Sequence, residues 1–264
     1  MKVRALAWIT FSSMLRNKFI MLFCAVFLCV ILLMMTPLMA MKTTAASQAQ
    51  GAMMVLGLVS VIMSMLTGFG SLLAAWSAAE AVAAEMKSGT ILAVMVRPVR
   101  RWEFLLGKYL GVQVLMLIYV LAMFGMSYVL AWIGDARIQT TPWVLIVYPM
   151  VRYSIYTSLA ILLVTLMHPM FAFGIVLVTS VVADRVSPGS HFVNFPESVQ
   201  KVLYVILPST DLLSESNFLS ITETSLKRMA WTDHLLALSY GLDYALICFL
   251  LAVWSFRYRS LTRD

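Results

Sequence analysis

Residues 80–108 read EAVAAEMKSGTILAVMVRPVRRWEFLLGK and form a charged interruption between two long apolar runs. The run before this stretch covers residues 53–79, and the run after it covers residues 109–133. Each run is long enough to cross a bilayer, because about 20 apolar residues in a helix suffice. The stretch is therefore predicted to join two membrane spans on one side of a bilayer.

The composition excludes an ordinary soluble domain. Hydrophobic residues make up 62% of the 264 residues, charged residues only 12%, and the mean hydropathy is +0.91. The formal net charge is +7, but the basic residues cluster beside apolar runs and do not form a basic face with stacking aromatics. We therefore expect the lipid bilayer as a partner and no nucleic acid.

Six apolar runs organise the chain into one all-α polytopic domain that covers residues 1–264. A helix over residues 1–18, with apolar and polar faces, is predicted to lie in the membrane interface as an elbow before the first span. His168-Pro169 is predicted to separate the fourth span from a short fifth one. The predicted spans cover residues 19–41, 53–79, 109–133, 142–167, 170–183 and 235–256.

Lys and Arg are more frequent on segments 1–18, 80–108 and 257–264 than on the other connections. Cytoplasmic connections carry this excess of positive charge. We therefore expect both termini of this multi-pass protein in the cytoplasm. The membrane is expected to be the bacterial cytoplasmic (inner) membrane. Residues 80–108 would then be cytoplasmic, and residues 184–234 would form the one large external segment.

Local residue chemistry predicts a short helix inside the charged stretch. Gly89 permits a tight turn, Thr90 can cap a helix, and Pro98 ends it. The apolar side chains of Ile91, Leu92 and Met95 could seat in a groove of another protein, since so short a helix is marginal alone. The alternative is that the basic residues merely mark a cytoplasmic loop.

The spacing of the acidic residue, the Gly-Thr pair, the Pro-x-Arg and the Gly-Lys resembles the loop between the second and third spans of ABC-2 type transporter permeases. The resemblance implies a type V exporter-like architecture and a contact between this loop and a separate ATP-binding cassette ATPase subunit. The contact residues it implies are Glu85, Gly89, Thr90, Ile91, Leu92, Met95, Pro98, Arg100, Arg101, Gly107 and Lys108.

The same resemblance implies a second permease subunit, in a homodimer or heterodimer, and usually export. The chain is similar to permeases of the multicopper-enzyme-maturation and multidrug export type. ATP and Mg are expected on the ATPase subunit, and no cofactor is expected in this chain.

Sequence motifs for catalysis are missing. There is no Gly-x-x-x-x-Gly-Lys-Ser/Thr phosphate loop, no Gly-x-Ser-x-Gly and no His-Glu-x-x-His. We therefore predict no catalytic, cofactor-binding or metal-binding residue, and no enzyme activity of the chain by itself. Two alternatives to a permease are a non-transporting membrane scaffold or assembly factor and an intramembrane hydrolase.

The external segment 184–234 contains a helical apolar stripe. Pro196 suits a helix start, Val199, Leu203 and Leu207 recur at helical spacing, and Pro208 stops the helix. In ABC-2 type permeases, short helices at this place shape an external gate, and the resemblance implies that role here. The alternative is a surface helix on the lipid headgroups.

Two charged residues fall within predicted spans, where burial of charge is costly. Arg152 lies about ten residues in from the outer end of the fourth span, and Asp243 lies at a similar depth in the sixth. Their common depth allows an ion pair that either lines a polar path or fixes the registry of the spans.

Overall fold

A computed structural model describes residues 2–44, 48–88, 100–133, 142–183, 207, 208, 213 and 231–258. Within these ranges the regular structure is helical, without a strand, which confirms the all-α class there. The helices are α1 (Lys2–Leu15), α2 (Lys18–Thr44), α3 (Gln48–Ser88), α4 (Arg101–Ile133), α5 (Pro142–Leu166), α6 (Pro169–Ala183) and α7 (Trp231–Tyr258).

Four of the described helices are long and apolar enough to cross a membrane, namely α3, α4, α5 and α7. Helices α1 and α2 meet at a bend of 62° and raise the number to five if they are counted as one broken span. Helix α6 has 15 residues, about 22 Å, which is less than the hydrocarbon thickness. The predicted count of six spans is therefore not confirmed.

Both ends of the predicted 80–108 loop are helical, so its predicted bounds were too wide. Helix α3 continues to Ser88 through an alanine-rich sequence of high helix propensity. Helix α4 already begins at Arg101, because the carboxylate of Glu103 accepts a hydrogen bond from the Arg100 backbone N–H at 2.9 Å. A glutamate at this position is half of a capping box. Residues 89–100 remain between the helices.

The predicted break between the fourth and fifth runs lies where expected. Helix α5 ends at Leu166 and α6 begins at Pro169. Proline has no N–H to donate and therefore suits the first turn of a helix. The carbonyl of His168 accepts the first α6 hydrogen bond, from the Ala172 N–H at 3.0 Å.

Helix α5 is the central helix and contacts α3, α4, α6 and α7. In its most apolar segment 78% of the residues are buried, against 28% for α7. Tyr148, Tyr153 and Tyr156 are fully buried along it, and Pro149 lies within the helix. The face of α7 that is turned away from α5 is therefore mostly exposed on the surface of the chain.

Helices α3, α4 and α5 approach closely around Gly70 of α3. A Cβ at Gly70 would overlap the Tyr153 hydroxyl and lie 2.7 Å from Cε1 of Tyr119. The Tyr119 hydroxyl also donates a hydrogen bond to the carbonyl of Leu66 at 2.7 Å. The absence of a side chain at Gly70 therefore lets two tyrosines reach the middle of α3.

Candidate functional site

An ion pair joins α3 and α4 at the end of the bundle where α3 stops and α4 starts, which we call the basal end. The Lys108 ammonium of α4 donates a hydrogen bond to the Glu85 carboxylate of α3. The two side chains are 6% and 22% exposed, respectively. Lys108 Nζ also lies 5.6 Å from the ring centroid of Phe104. The pair therefore connects two of the predicted contact residues across the base of the loop.

Arg101 connects the same end of α4 to α7. Its Nη1 donates hydrogen bonds to the carbonyls of Phe256 at 3.0 Å and Arg257 at 2.8 Å. Carbonyls in the last turn of a helix lack partners within that helix and attract positive charge. One turn further along α4, the ring of Phe104 stacks on Phe256 at 6.1 Å.

These contacts define the basal cluster, which consists of Glu85, Arg101, Phe104, Lys108 and Phe256. It joins the ends of α3, α4 and α7 through one ion pair, two charge-assisted hydrogen bonds and one stacked ring pair. Charge-assisted hydrogen bonds are stronger than neutral ones and depend on geometry. The three helix ends are consequently held as a unit.

Helix α1 packs against α4 beside this cluster. A Cβ at Gly107 would lie 2.6 Å from Cβ of Leu6, and one at Gly111 would lie 2.7 Å from Cβ of Thr10. Real Cβ atoms do not come so close, so glycine is needed at both positions for α1 to sit here. A Gly107-x-x-x-Gly111 spacing is typical of closely packed helices, and the partner helix here is α1.

At the opposite, apical end, α5 and α7 meet through aromatic rings. The Tyr148 hydroxyl and His234 Nδ1 are 2.6 Å apart. Trp143 and Trp231 stack with ring centroids 5.6 Å apart and planes inclined by 10°. We call these four residues the apical cluster. The tryptophans stand at the starts of two helices, as expected for aromatic residues at a membrane interface.

Part of the predicted external segment reaches into the bundle at the apical side. Leu213 is fully buried, and its Cδ1 would lie 3.2 Å from a Cβ at Gly241 of α7. Gly241 lies about 15 Å along the axis of α7 from Trp231, at the start of that helix. The segment before α7 therefore inserts at least this leucine between α5 and α7, well below the start of α7.

The sequence matches the family described as ABC-2 family transporter protein over residues 4–261. The match includes α2 to α7 in full and α1 from Arg4 onward. This chain belongs to the ABC-2 transporter family. It is accordingly a multi-pass membrane protein with a part in membrane transport. No curated protein matches it in sequence comparison.

Several predicted contact residues of this ABC-2 chain lie outside the described residues. Those residues are Gly89, Thr90, Ile91, Leu92, Met95 and Pro98. The described ones, Glu85, Arg101, Gly107 and Lys108, form or adjoin the basal cluster, and the Arg100 side chain is exposed. A contact of these residues with another protein stays a prediction.

The ABC-2 chain does not bring Arg152 and Asp243 together. Arg152 is only 5% exposed and its guanidinium lies 6.0 Å from the ring centroid of Tyr156. Asp243 is exposed on α7. Gly241 is the α7 residue that faces Val151 of α5, and two further residues turn a helix by about 200°. Asp243 therefore points away from α5, and the suggested ion pair is not formed.

Of the predicted gate residues, Pro196, Val199 and Leu203 lie outside the described residues. Leu207 is half-buried and Pro208 is buried. Their role at an external gate stays a prediction. In the described part of the chain, no group of three or more His, Cys, Asp and Glu residues is placed to hold a metal ion.

Sequence reasoning missed three features of the site. The Arg101 contact with α7 joins residues 155 positions apart, and no local pattern signals it. The pairing of Glu85 with Lys108 follows only once α3 and α4 are seen as an antiparallel hairpin. The α1 contact had a partial signal, because a small-x-x-x-small spacing indicates close packing without naming the partner.

Proposed function

We propose that this ABC-2 chain is the membrane-spanning permease subunit of an ABC exporter. In this proposal a separate ATP-binding cassette subunit binds and hydrolyses Mg-ATP, and a second permease subunit completes the transport path. The chain crosses the bacterial cytoplasmic membrane six times, with both termini and the basal end in the cytoplasm. Family membership supports the transport role, because the family consists of ABC-2 transporter proteins. Permease subunits of this family are generally not catalytic by themselves.

The observation that carries the proposal is the basal cluster. The segment 89–100 joins α3 to α4, and both of these helices are clamped together just behind it by Glu85 and Lys108. A displacement of this segment would pass to α7 through Arg101 and to α1 through Gly107. A partner that pushes on residues 89–100 would thus move four helices as one body.

The length of α3 supports access for such a partner. Its 41 residues extend over about 62 Å, because each helical residue rises by 1.5 Å. A bilayer hydrocarbon core is only about 30 Å thick. Part of α3 therefore lies outside the hydrocarbon core, and in the proposed orientation Glu85 lies near the end that projects toward the cytoplasm.

Co-purification tests the partner directly. The chain would be co-expressed with candidate ATP-binding subunits, and Arg100→Glu would be compared with Arg16→Glu as a matched control. Arg100 flanks the segment 89–100, whereas Arg16 lies in the turn between α1 and α2. We expect Arg100→Glu to reduce association several-fold while membrane insertion is unchanged. Equal association of both variants would contradict the proposal.

Transport in proteoliposomes separates a permease from a scaffold. The Lys108 side chain is only 6% exposed and bound to Glu85, so Lys108→Met should leave the exposed surface for the ATPase subunit unchanged. The complex with this variant should keep that subunit bound but transport less substrate for each ATP hydrolysed, because α3 and α4 are no longer clamped. A scaffold would show neither transport nor a change in ATP hydrolysis. If the amount of substrate transported for each ATP hydrolysed is unchanged in this variant, the basal cluster does not couple ATP hydrolysis to transport.

Cysteine labelling tests the orientation. Ser88 would be replaced by cysteine in a chain whose own Cys24, Cys29 and Cys248 are changed to serine. A membrane-impermeant maleimide should label this position only after the cells are opened. Labelling in intact cells with a permeable outer membrane would place the basal end outside and end the proposal.

A further inference from the structure

An apolar groove lies between α1 and α4, next to the glycines that bring these helices together. It has a volume of about 620 Å³, and it is lined by Arg4, Ala5, Ala7, Trp8, Phe11 and Val114. The groove exists because two small alanines lie between larger side chains on α1. Trp8 is 67% exposed, so the groove opens to the surroundings of the helix pair.

Only one of the groove residues carries a charge, and it lies at one edge of the apolar surface. Arg4, Trp8 and Phe11 follow each other at i, i+4 and i+7, so they share one face of α1. The arginine begins this face and the apolar rings continue it. An anionic group next to a long apolar part would match this lining.

We infer that this groove is a binding site for an anionic phospholipid. The guanidinium of Arg4 binds the phosphate, for which its planar donors are well suited. The indole of Trp8 lies at the level of the headgroup, as tryptophan does at membrane interfaces. An acyl chain covers Ala5, Ala7, Phe11 and Val114, which removes their apolar surface from water.

Charge complementarity favours an anionic over a zwitterionic lipid. Residues 1–18 contain four basic side chains, Lys2, Arg4, Arg16 and Lys18, and no acidic one. Basic segments beside a membrane span attract anionic headgroups. The site does not depend on the proposed function. Only its assignment to the cytoplasmic leaflet rests on the proposed orientation.

A bound lipid would act on the packing of α1. Helix α1 contacts α4 at Gly107 and Gly111, beside Lys108 of the basal cluster. The lipid would cover the adjoining face of the same two helices and hold them from a second side. Anionic lipid should consequently raise the melting temperature of the purified chain.

Native mass spectrometry of the purified, delipidated full chain tests the site with palmitoyl-oleoyl phosphatidylglycerol and phosphatidylcholine as probes. Arg4→Gln should weaken phosphatidylglycerol binding by about tenfold, since a charged hydrogen bond is lost. Arg16→Gln is the matched control, because it removes the same charge at the other end of α1. If both variants lose phosphatidylglycerol affinity equally, the lipid is attracted by surface charge in general, and the proposal of a specific site at Arg4 is wrong.

A second pair of variants tests the groove itself. Ala5→Phe fills the groove and should weaken the binding of both lipids, whereas Ile9→Phe enlarges an exposed α1 residue that does not line it. If Ala5→Phe binds phosphatidylglycerol as the wild type does, the groove is not the site. Equal affinity of the wild type for both lipids would contradict the role of Arg4.

Photocrosslinking keeps the test independent of the variants. Phosphatidylglycerol with a photoreactive acyl chain should label wild-type peptides that contain residues 5–11 or Val114. Labelling confined to other helices would overturn the inference. Competition gives a second outcome that would overturn it. In that outcome, excess unlabelled phosphatidylcholine reduces the labelling of these peptides as much as excess unlabelled phosphatidylglycerol does.

Discussion

At the basal end, a lysine–glutamate pair and an arginine on helix carbonyls join α3, α4 and α7. At the apical end, α5 and α7 meet through stacked tryptophans and one tyrosine–histidine hydrogen bond. Charged hydrogen bonds lose strength steeply when their geometry changes. Aromatic rings keep much of their attraction over centroid distances of about 4.5–7 Å. The basal end thus depends more on directional contacts, and the apical end depends more on ring packing that tolerates small displacements.

The largest effect is expected for Lys108→Met at the basal end. This change leaves the Glu85 carboxylate without its lysine and should lower the free energy of unfolding by about 3 kcal/mol. Denaturant unfolding in detergent micelles measures it. The double variant with Glu85→Gln should recover most of the loss, because the carboxylate that lost its lysine is then neutral. Additive losses in this double-mutant cycle would show that the pair is not coupled.

A smaller loss is expected when α1 is pushed off α4. Gly107→Leu places a side chain against Leu6 and should cost about 2 kcal/mol, as overpacked positions do. Gly125→Leu in the same helix is the control, because a Cβ there meets nothing within 4 Å. The measurement is again unfolding in micelles. A similar loss in both variants would mean that the effect comes from glycine replacement and not from the α1 contact.

Arg101→Met should lower the free energy of unfolding by about 1.5 kcal/mol, since two charge-assisted hydrogen bonds to α7 are lost. Arg100→Met removes an equal charge from an exposed neighbouring position and should have almost no effect. Hydrogen exchange of the last turn of α7 provides a local readout, and it should speed up only in the Arg101 variant. If hydrogen exchange in the last turn of α7 is unchanged in the Arg101 variant, Arg101 does not hold this helix end in the basal cluster.

The smallest effect is expected at the apical end. Tyr148→Phe removes the hydroxyl next to His234 but keeps the ring, so it should cost about 1 kcal/mol. Tyr128→Phe, which keeps the ring contact of Tyr128 with Phe124, is the control. Thermal unfolding of both variants measures the difference. A loss larger than that of Lys108→Met would reverse the comparison between the two ends.

The sequence predicted the break at His168-Pro169 because proline acts locally, on the hydrogen bonds of its own turn. It did not predict the basal starts and ends of α3 and α4. Hydropathy reports contact with lipid, so charged helical turns such as the one that contains Arg101 and Glu103 look like a loop. The capping glutamate was the local signal for the start of α4.

The candidate site was predictable in its residues but only partly in its geometry. Motif spacing singled out Glu85 and Lys108, but contact between them depends on the packing of two helices. Arg152 and Asp243 show the opposite case. Counting residues along a span gives the depth of a side chain in the membrane, but not its direction around the helix. Because Gly241 of α7 faces Val151 of α5, Asp243 faces away from α5.

Pro149 interrupts the backbone hydrogen bonds of the central helix. Because proline has no N–H, the buried carbonyl of Leu145 receives no backbone hydrogen bond from the next turn. The first two turns of α5, which carry Tyr148, are therefore joined to the rest of that helix by one backbone hydrogen bond fewer. Their position depends correspondingly more on side-chain packing against α7, where Tyr148 lies in a buried cluster with Ala237 and Ala245. The described residues of α4 and α7 contain no proline and keep the full set of these bonds.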